Sequence, residues 1–315
     1  MDLTDRLALT RTAPNSSNRI IFDAQTELRG GRYVIVEVLG SGGEGVVYRA
    51  HDTVRGEEIA IKVLHLDDGV AIPQLKREFR FLRDLVHPNL LPLYELVVER
   101  QLSFFTMSYI QGEDFLTSVE MGQPLASLTI QLADVLHFLH RTGRVHRDVK
   151  PSNILVRPSG ELVLMDFGIG LDLNVRHGER QGVMGTPRYM APEVLAMRGA
   201  SQKSDAYSLG VLLYEALTGQ HPQPSGRTQL NQMDGFDPRL IEEGVSESWA
   251  SLVRGLTEPD PEKRFSVETC IQLLQDSRNS SSRFSTLAPA DSFGFSGRTS
   301  ELARLQAAKE WVRDG

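Results

Sequence analysis

The chain has 315 residues, 40% hydrophobic and 24% charged, so it can bury the core of one large domain or of two ordinary ones. Its formal net charge of −7 argues against a nucleic-acid coat or a membrane-surface anchor, since either would need a basic face. One cysteine, Cys270, excludes an internal disulfide, and we find neither a signal peptide nor an apolar run of about 18 residues. We therefore expect a cytoplasmic protein without nucleic-acid or membrane partners, in which Cys270 is buried in a helix.

The N-terminal part of the chain predicts a tail followed by a glycine-rich hairpin. Residues 1–31 show no clear hydrophobic period, whereas strands are predicted on both sides of the glycine-rich turn that follows. Glycines allow backbone amides to approach phosphates, and Val47 in the second strand would cover one face of a purine. The candidate phosphate-binding residues are Gly40, Ser41, Gly42 and Gly45. A plain turn is the alternative, but strands on both sides differ from the strand-to-helix setting of dinucleotide-binding folds and P-loops.

A third strand and a helix place two opposite charges near each other. In the strand, Glu58–Leu64, alternation puts Ala60 and Lys62 on one face and the larger apolar side chains on the other. This aims the lysine inward. A helix is predicted from Pro73 to Val86, with Glu78 at its middle. Glu78 can pair with Lys62, and a salt bridge on the helix surface is the alternative.

The next elements follow the same hydrophobic patterns. Two strands are predicted between Leu90 and Met107, and a connecting segment of five residues begins at Ser108. An amphipathic helix covers Thr129–Arg141. A short hairpin is then predicted from Ile154–Val156 and Leu162–Met165.

The segment from His146 to Asn153 holds groups suited to moving a phosphoryl group. Asp148 can accept the proton of an attacking hydroxyl, and Lys150 can lie against the oxygens of the transferring group. Asn153 can offer an amide oxygen to a divalent metal. Asp166, thirteen residues later at the end of an apolar strand, can hold Mg²⁺ between phosphates.

These motifs, in this order, resemble those of the eukaryotic-type protein kinases, and of their serine/threonine group in particular. The resemblance covers Tyr33 to about Asp276 and rests on the glycine-rich hairpin, Ala60-Ile61-Lys62, the octapeptide above, Asp166-Phe167-Gly168 and Ala191-Pro192-Glu193. It implies an α+β, bilobal protein kinase fold, with a small antiparallel β-sheet lobe carrying one helix (about 32–110) and a larger, mainly helical lobe (about 111–276). It also implies ATP with Mg²⁺, or with Mn²⁺ instead, as cofactor, and proteins with serine or threonine acceptors as substrates.

The resemblance further assigns residues to nucleotide binding. Lys62, held by Glu78, would contact the phosphates, and Asp114 would reach the ribose. The adenine contacts would come from Val47, Ala60, Met107, Ser108, Tyr109, Ile110 and Leu155. Glu44, at the tip of the glycine-rich turn, departs from the apolar or small residue that the family has there.

The segment after Asp166 departs from the family in a second way. Many kinases with an arginine before the catalytic aspartate are switched by a phosphate that this arginine, here Arg147, binds. No Ser, Thr or Tyr occurs between Asp166 and Gly185, and the usual phosphorylation position falls on Gly182. We predict activity without loop phosphorylation, with Glu179 as the partner of Arg147. The resemblance also makes Thr186 a partner of Asp148 and Lys150, and Ile169 a sign of threonine preference.

Two further pairs and a C-terminal segment complete the sequence reading. The resemblance makes His146–Asn153 the catalytic loop, and Asp205 is predicted to accept bonds from the backbone of this loop, with simple helix capping as the alternative. Arg264 is predicted to pair with Glu193. Residues 277–291 have linker composition. Residues 292–315 resemble the start of a signalling ATPase module, which suggests a larger multidomain bacterial-type kinase. A plain C-terminal helix is the alternative.

The sequence therefore predicts a protein serine/threonine kinase. The second hypothesis is a catalytically silent kinase-like regulatory scaffold. Its usual signature is loss of the lysine, the catalytic Asp or the metal-binding Asp, and Lys62, Asp148 and Asp166 are all present. A small-molecule phosphotransferase would have no use for the Ala191-Pro192-Glu193 motif and the lobe after it.

Overall fold

A computed structural model describes residues 22–42, 45–64, 72–99, 102–166, 187–222 and 244–284. Two lobes follow each other along the chain within one compact unit that ends at Leu274. In this part of the chain, no helix is long and apolar enough to cross a membrane. The predicted α+β, bilobal fold is confirmed.

The first lobe is an antiparallel sheet whose strand order is β1-β2-β3-β4-β6-β5. The strands are β1 Glu27–Leu28, β2 Tyr33–Gly42, β3 Gly45–Asp52, β4 Glu57–Leu64, β5 Leu93–Val98 and β6 Ser103–Ser108. Strands that follow each other in the sequence are joined mostly by short turns, as antiparallel pairing allows. The exception is the connection from β4 to β5, which contains helix α1, Ile72–Arg83.

Alternation in the central strand β4 divides the core in two. Ile59, Ile61 and Val63 pack in one cluster with the outer sheet residues, while Ala60 packs in a second, larger cluster with helix α1 and the other lobe. Because successive side chains of a strand point to opposite faces, Lys62 lies on the face of Ala60. The predicted inward orientation of Lys62 is confirmed by its exposure of only 6%.

The second lobe is mainly helical. Its helices are α2 Phe115–Glu120, α3 Leu125–Arg141, α4 Pro192–Leu195, α5 Gln202–Thr218, α6 Glu247–Leu256 and α7 Val267–Phe284. A small sheet, in the order β7-β8-β9, lies at the junction of the lobes and consists of β7 Glu113–Asp114, β8 Ile154–Val156 and β9 Leu162–Leu164. Helix α5 is buried nearly all round, as its apolar sequence predicts, and Cys270 in α7 is fully buried.

Two sequence predictions differ from the structure. Residues 22–31, predicted as part of a tail, pack on the sheet, because Phe22 and Leu28 are apolar and bury themselves against the strands. Val86, predicted as the last residue of the first helix, lies beyond the end of α1 and is 84% exposed. The helix ends at Arg83, so the 3.6-residue period does not extend to Val86.

Candidate active site

The register of the sheet gathers the predicted nucleotide-binding residues of the first lobe on one face. Val47 lies opposite Lys62, and Ala60 lies opposite Met107. Directly opposed residues of antiparallel strands point to the same side of the sheet. The side chains of these four residues therefore form one surface that faces the second lobe.

The glycine-rich turn has one position that only glycine can occupy. Gly45 has φ +151°, and a Cβ added there would lie 1.9 Å from the carbonyl oxygen of Val63. Gly42 pairs directly with Gly45, whereas a Cβ on Gly40 would meet no atom within 4 Å. Gly45 is thus required by the close approach of β3 to the backbone of β4, and Gly40 leaves open space on its side of the sheet. Gly43 and Glu44 lie outside the described residues.

The connection between the lobes supplies the opposite wall. Ile110 is buried, and Leu155 packs against the same cluster as Ala60 and Met107. Gly112 allows a close approach, because a Cβ there would lie 2.4 Å from the carbonyl oxygen of Val156. Ser108, the first residue of the predicted connecting segment, ends strand β6, and Tyr109 follows it. The Ser108 hydroxyl is 2.6 Å from that of Tyr94.

Asp114, predicted at the ribose, has a structural task. Its Oδ1 accepts hydrogen bonds from the backbone N–H groups of Leu116 and Thr117, at 2.9 and 3.1 Å, and Oδ2 accepts one from the Thr117 hydroxyl at 2.7 Å. This is an N-cap, which satisfies amides that have no partner within helix α2. Asp114 fixes the start of α2 at the edge of the cleft.

The catalytic loop holds Asp148 in a fixed orientation. Lys150 Nζ is 2.6 Å from Asp148 Oδ2, and Asn153 Nδ2 donates to that same oxygen at 2.9 Å and to the Asp148 carbonyl at 2.8 Å. Both bonds of Asn153 use its amide nitrogen. Its Oδ1 is therefore the atom suited to a cation.

His146 holds this loop against the strand that leads to Asp166. Its ring is fully buried, Nδ1 accepts from the Asp148 backbone N–H at 3.3 Å, and Nε2 lies 2.9 Å from the carbonyl oxygen of Met165. The ring thus accepts at Nδ1 and donates at Nε2. Arg147, between His146 and Asp148, has φ +72°, a left-handed conformation that a non-glycine residue adopts at a cost of about 1–3 kcal/mol.

Helix α5 holds the catalytic loop in place through the side chain of Asp205. Asp205, 1% exposed, accepts hydrogen bonds from the backbone N–H groups of His146 and Arg147, so the predicted loop contact is confirmed. The capping alternative is wrong, because Ser201 caps α5. Asp205 also lies 2.8 Å from Nε2 of His140, a buried residue that the sequence reading missed. A polar side chain on the apolar stripe of α3 was the available signal.

Asp166 and Asn153 lie close together at the ends of neighbouring strands. The Met165 backbone N–H donates to the carbonyl of Asn153 at 2.8 Å, and Asp166 has φ +52°. Asp166 Oδ1 lies 3.0 Å from Lys62 Nζ. One carboxylate and one amide oxygen fit Mg²⁺, which binds oxygen through few protein groups together with substrate phosphates. Within the described residues, no cluster of three His, Cys, Asp or Glu forms a cage for a metal.

The predicted Lys62–Glu78 pair is wrong for this structure. Glu78 Oε2 lies 3.1 Å from Arg144 Nη1, while Lys62 contacts Asp166, and these two described side chains form no ion pair with each other. The physical reason is competition between partners. The Arg144 guanidinium binds the Glu78 carboxylate, and the Asp166 carboxylate binds the Lys62 ammonium. No sequence motif pointed to Arg144, which precedes the catalytic loop.

The base of the second lobe contains the predicted Glu193–Arg264 pair. Two parallel contacts of 2.6 and 2.9 Å join the guanidinium to the carboxylate, so this prediction is confirmed. Arg264 is 1% exposed and also donates to three backbone carbonyl oxygens. The predictions for Phe167, Ile169, Glu179, Gly182 and Thr186 lie outside the described residues.

Comparison with known proteins supports this arrangement. A family model described as a protein kinase domain matches residues 33–274. The serine/threonine-protein kinase PrkC of Bacillus subtilis is 36% identical over 203 residues, which cover 61% of this chain and 31% of PrkC. PknD of Chlamydia pneumoniae, also a serine/threonine-protein kinase, is 31% identical over 280 residues, covering 76% of this chain and 30% of PknD.

Two other similarities extend the comparison. The DNA damage-responsive serine/threonine-protein kinase RqkA of Deinococcus radiodurans is 39% identical over 207 residues, covering 62% of this chain and 31% of RqkA. The crystal structure of Rad53 residues 1–466 with AMP-PNP superposes with a TM-score of 0.62 and 25% identity, covering 77% of this chain and 64% of that one. The matched regions are about 30% of the length of the three bacterial relatives.

Proposed function

We propose that this chain, which belongs to the protein kinase family, transfers the γ-phosphoryl group of ATP to serine or threonine hydroxyls of proteins. One observation carries the proposal. The catalytic-loop carboxylate of Asp148 is oriented by Lys150 and Asn153, while the ends of neighbouring strands bring Asp166 close to Asn153 and within 3.0 Å of Lys62. One cleft is thus lined by a carboxylate that can accept a proton (Asp148), by two ammonium groups (Lys62 and Lys150) and by two side chains that can offer oxygen to a metal (Asn153 and Asp166).

Each of these residues has a distinct task in the transfer. Asp148 accepts the proton of the attacking hydroxyl and aims its oxygen at the terminal phosphorus. Lys150, at 2.6 Å from Asp148, is placed to balance the negative charge on the transferring group. When ATP binds, Lys62 would leave Asp166 and contact the phosphates instead.

A metal ion fits between these groups. Asp166 and Asn153 Oδ1 would hold Mg²⁺, or Mn²⁺ instead. When bound, the ion neutralises charge on the β- and γ-phosphates.

The adenine site is proposed on the same face of the sheet as Lys62. Val47, Ala60, Met107 and Leu155 would enclose the base, and backbone groups of Ser108, Tyr109 and Ile110 would bond its edge. The backbone amides between Gly40 and Gly45 would cover the phosphates. Asp114 would contact the ribose in addition to its role as a helix cap.

Finer features of the activity rest on the sequence. We propose that the kinase domain spans residues 32–276 in a larger cytoplasmic bacterial-type kinase. Residues 277–284 continue helix α7 and are not the linker that their composition predicted, so the connection to a proposed ATPase-type signalling module would begin after Phe284. Its activity would need no phosphate in the loop after Asp166, and Ile169 would favour threonine acceptors. Matched serine and threonine peptides test the preference, and equal rates would remove it. Intact-mass analysis of active protein tests whether activity is independent of a phosphate in this loop. Activity that requires a phosphate on Thr186 would contradict this proposal.

Radiolabel transfer from ATP to a general protein substrate tests the proposed function. We expect transfer by the wild-type protein and a loss of at least about 100-fold in Asp148→Asn, which keeps the shape of the side chain but removes its charge. Ser152→Ala, a conservative change in the same loop, should keep most of the activity. Label incorporation that is equal in wild-type and Asp148→Asn protein would support the silent-scaffold alternative.

A further inference from the structure

Arg144 makes two contacts with helix α1. Its Nη1 lies 3.1 Å from Glu78 Oε2, and its guanidinium carbon lies 4.2 Å from the centre of the Phe81 ring. Residues three apart on a helix share a face, so one guanidinium can contact both side chains. Stacking on an aromatic ring also orients the planar group, which makes its contact with the carboxylate directional.

These contacts connect the two lobes. Arg144 belongs to the short segment between helix α3 and the catalytic loop, and it follows Gly143, which has φ +77°. The buried His146 fixes the chain two residues later. Arg144 is thus anchored on the second lobe, whereas Glu78 and Phe81 move with α1 on the first.

Glu78 has a second potential partner inside the cleft. Lys62 has a side chain only 8% exposed, and its ammonium lies 3.0 Å from Asp166. Nucleotide and metal binding would occupy Asp166, which would leave Lys62 to be positioned by another carboxylate. Glu78 is the acidic residue at the centre of the facing helix, but its carboxylate points to Arg144.

We propose that Arg144 is a latch that competes with Lys62 for the carboxylate of Glu78 and so lowers the affinity of the resting protein for ATP. The proposal rests on the proposed function, because it assumes that Lys62 binds the phosphates. Arg144 acts through Glu78 and is a positioning residue. Because the Glu78 and Arg144 side chains are 24% and 30% exposed, solvent weakens their pair, and its release should change nucleotide affinity about three- to tenfold.

A double-mutant cycle on nucleotide affinity tests the latch. The Kd of a non-hydrolysable ATP analogue with Mg²⁺ is measured for wild type, Arg144→Gln, Glu78→Gln and the double variant. We expect Arg144→Gln to tighten binding about three- to tenfold in the wild-type background and to have less than about a 1.5-fold effect beside Glu78→Gln. Arg141→Gln, which removes an exposed cation at the end of α3, should leave Kd unchanged.

A purely structural role for Arg144 gives a different pattern. In that case Arg144→Gln weakens binding, or changes it equally in both backgrounds, and the latch is overturned. Arg144→Lys supplies an intermediate result, because lysine keeps the charge but loses the planar stacking on Phe81. We expect its Kd to lie between those of wild type and Arg144→Gln.

A distance measurement tests the latch without any nucleotide. Spin labels at Arg80→Cys on α1 and Met121→Cys on the second lobe report the position of the helix, since both sites are exposed and the native Cys270 is buried. We expect Arg144→Gln to shift or broaden the distance distribution, and an unchanged distribution overturns the latch. If no variant binds the analogue or transfers phosphate, the proposed function fails while this measurement still decides the latch.

Discussion

Asp205, in the first turn of the largely buried helix α5, accepts hydrogen bonds from the backbone amides of His146 and Arg147, at 2.8 and 2.9 Å. Nε2 of His140 lies 2.8 Å from the same carboxylate. Because a buried charge is stable only when its oxygens are satisfied, the loop and helix α5 are mutually dependent. The strained backbone of Arg147 lies directly at this attachment, where these bonds can offset its cost.

Replacement of Asp205 by asparagine should damage both stability and catalysis. The amide presents an NH2 group where a second acceptor oxygen is needed, which leaves a buried donor without a partner. We expect the free energy of unfolding to fall by about 2–4 kcal/mol and kcat to fall at least about tenfold, since Asp148 follows the affected amides. Urea unfolding and phosphate transfer measure the two effects.

Ser201→Ala provides the matched control at the same end of α5. It removes the capping bond to Lys203 N and should cost about 1 kcal/mol with little change in kcat. Equal effects of the two substitutions would contradict the special role of Asp205.

The Arg264–Glu193 pair predicts a large loss of stability when one partner is removed. Arg264→Gln leaves the partly buried Glu193 carboxylate and several carbonyl oxygens unsatisfied, so we expect a loss of about 3–5 kcal/mol. Thermal and urea unfolding measure it. Arg254→Gln is the control, because Arg254 pairs with a Glu247 side chain that is 75% exposed and should cost less than about 1 kcal/mol. Similar costs for both arginines would contradict the prediction.

Motif order predicted these two buried carboxylate contacts well. Helix α5 is apolar on all sides, so it is stable only in the centre of the lobe. A buried Asp205 then needs hydrogen-bond donors, which the catalytic loop supplies. The alternation of β4 likewise fixed the inward direction of Lys62. The contact of Asp205 and the direction of Lys62 both follow from the local hydrophobic pattern, which can be seen in the sequence, and from the cost of burying a polar group without a partner.

The partner of Glu78 could not be found in this way. Lys62, Arg144 and the cations of α1 are all candidates along the chain, and small differences in distance decide between them. Ion pairs of partly exposed groups differ by only about 1 kcal/mol, which no sequence pattern resolves. Phe22 and Leu28 were missed for a related reason, since isolated apolar residues in a polar segment carry no periodic signal.

The contact of Gly255 with Phe265 predicts a cost for a single added methyl group. A Cβ at Gly255 would lie 2.2 Å from two ring atoms, far inside van der Waals contact. Alanine favours a helix over glycine by about 1 kcal/mol, but overpacking typically costs about 1–3 kcal/mol, and at this distance we expect net destabilisation of Gly255→Ala by about 2 kcal/mol. Urea unfolding checks the sign.

A second substitution shows whether the ring is the cause. Phe265→Ala removes the ring atoms that the added methyl group would meet, so the double variant should be more stable than the sum of the two single changes predicts. Gly40→Ala, where the methyl group would meet no atom within 4 Å, should leave stability nearly unchanged. Strict additivity of the Gly255 and Phe265 changes would contradict this explanation.

Cys270 predicts a specific loss of stability at alkaline pH. Burial raises the pKa of its thiol from the ordinary value of 9.0 to about 12, because the thiolate is poorly solvated in the core. The unfolded chain therefore loses a proton above pH 9 that the folded chain retains. The resulting stabilisation is complete below pH 9 and decreases as pH rises toward about 12.

Cys270→Ala isolates this contribution from those of other titrating groups. Between pH 8 and pH 10.5 the wild-type free energy of unfolding should fall by about 2 kcal/mol more than that of the variant, since one proton contributes about 1.4 kcal/mol per pH unit. Urea unfolding at several pH values measures both curves. The variant has a constant offset from its lost packing, so the comparison uses slopes. Parallel curves would mean that the Cys270 thiol ionises as readily in the folded protein as in the unfolded chain.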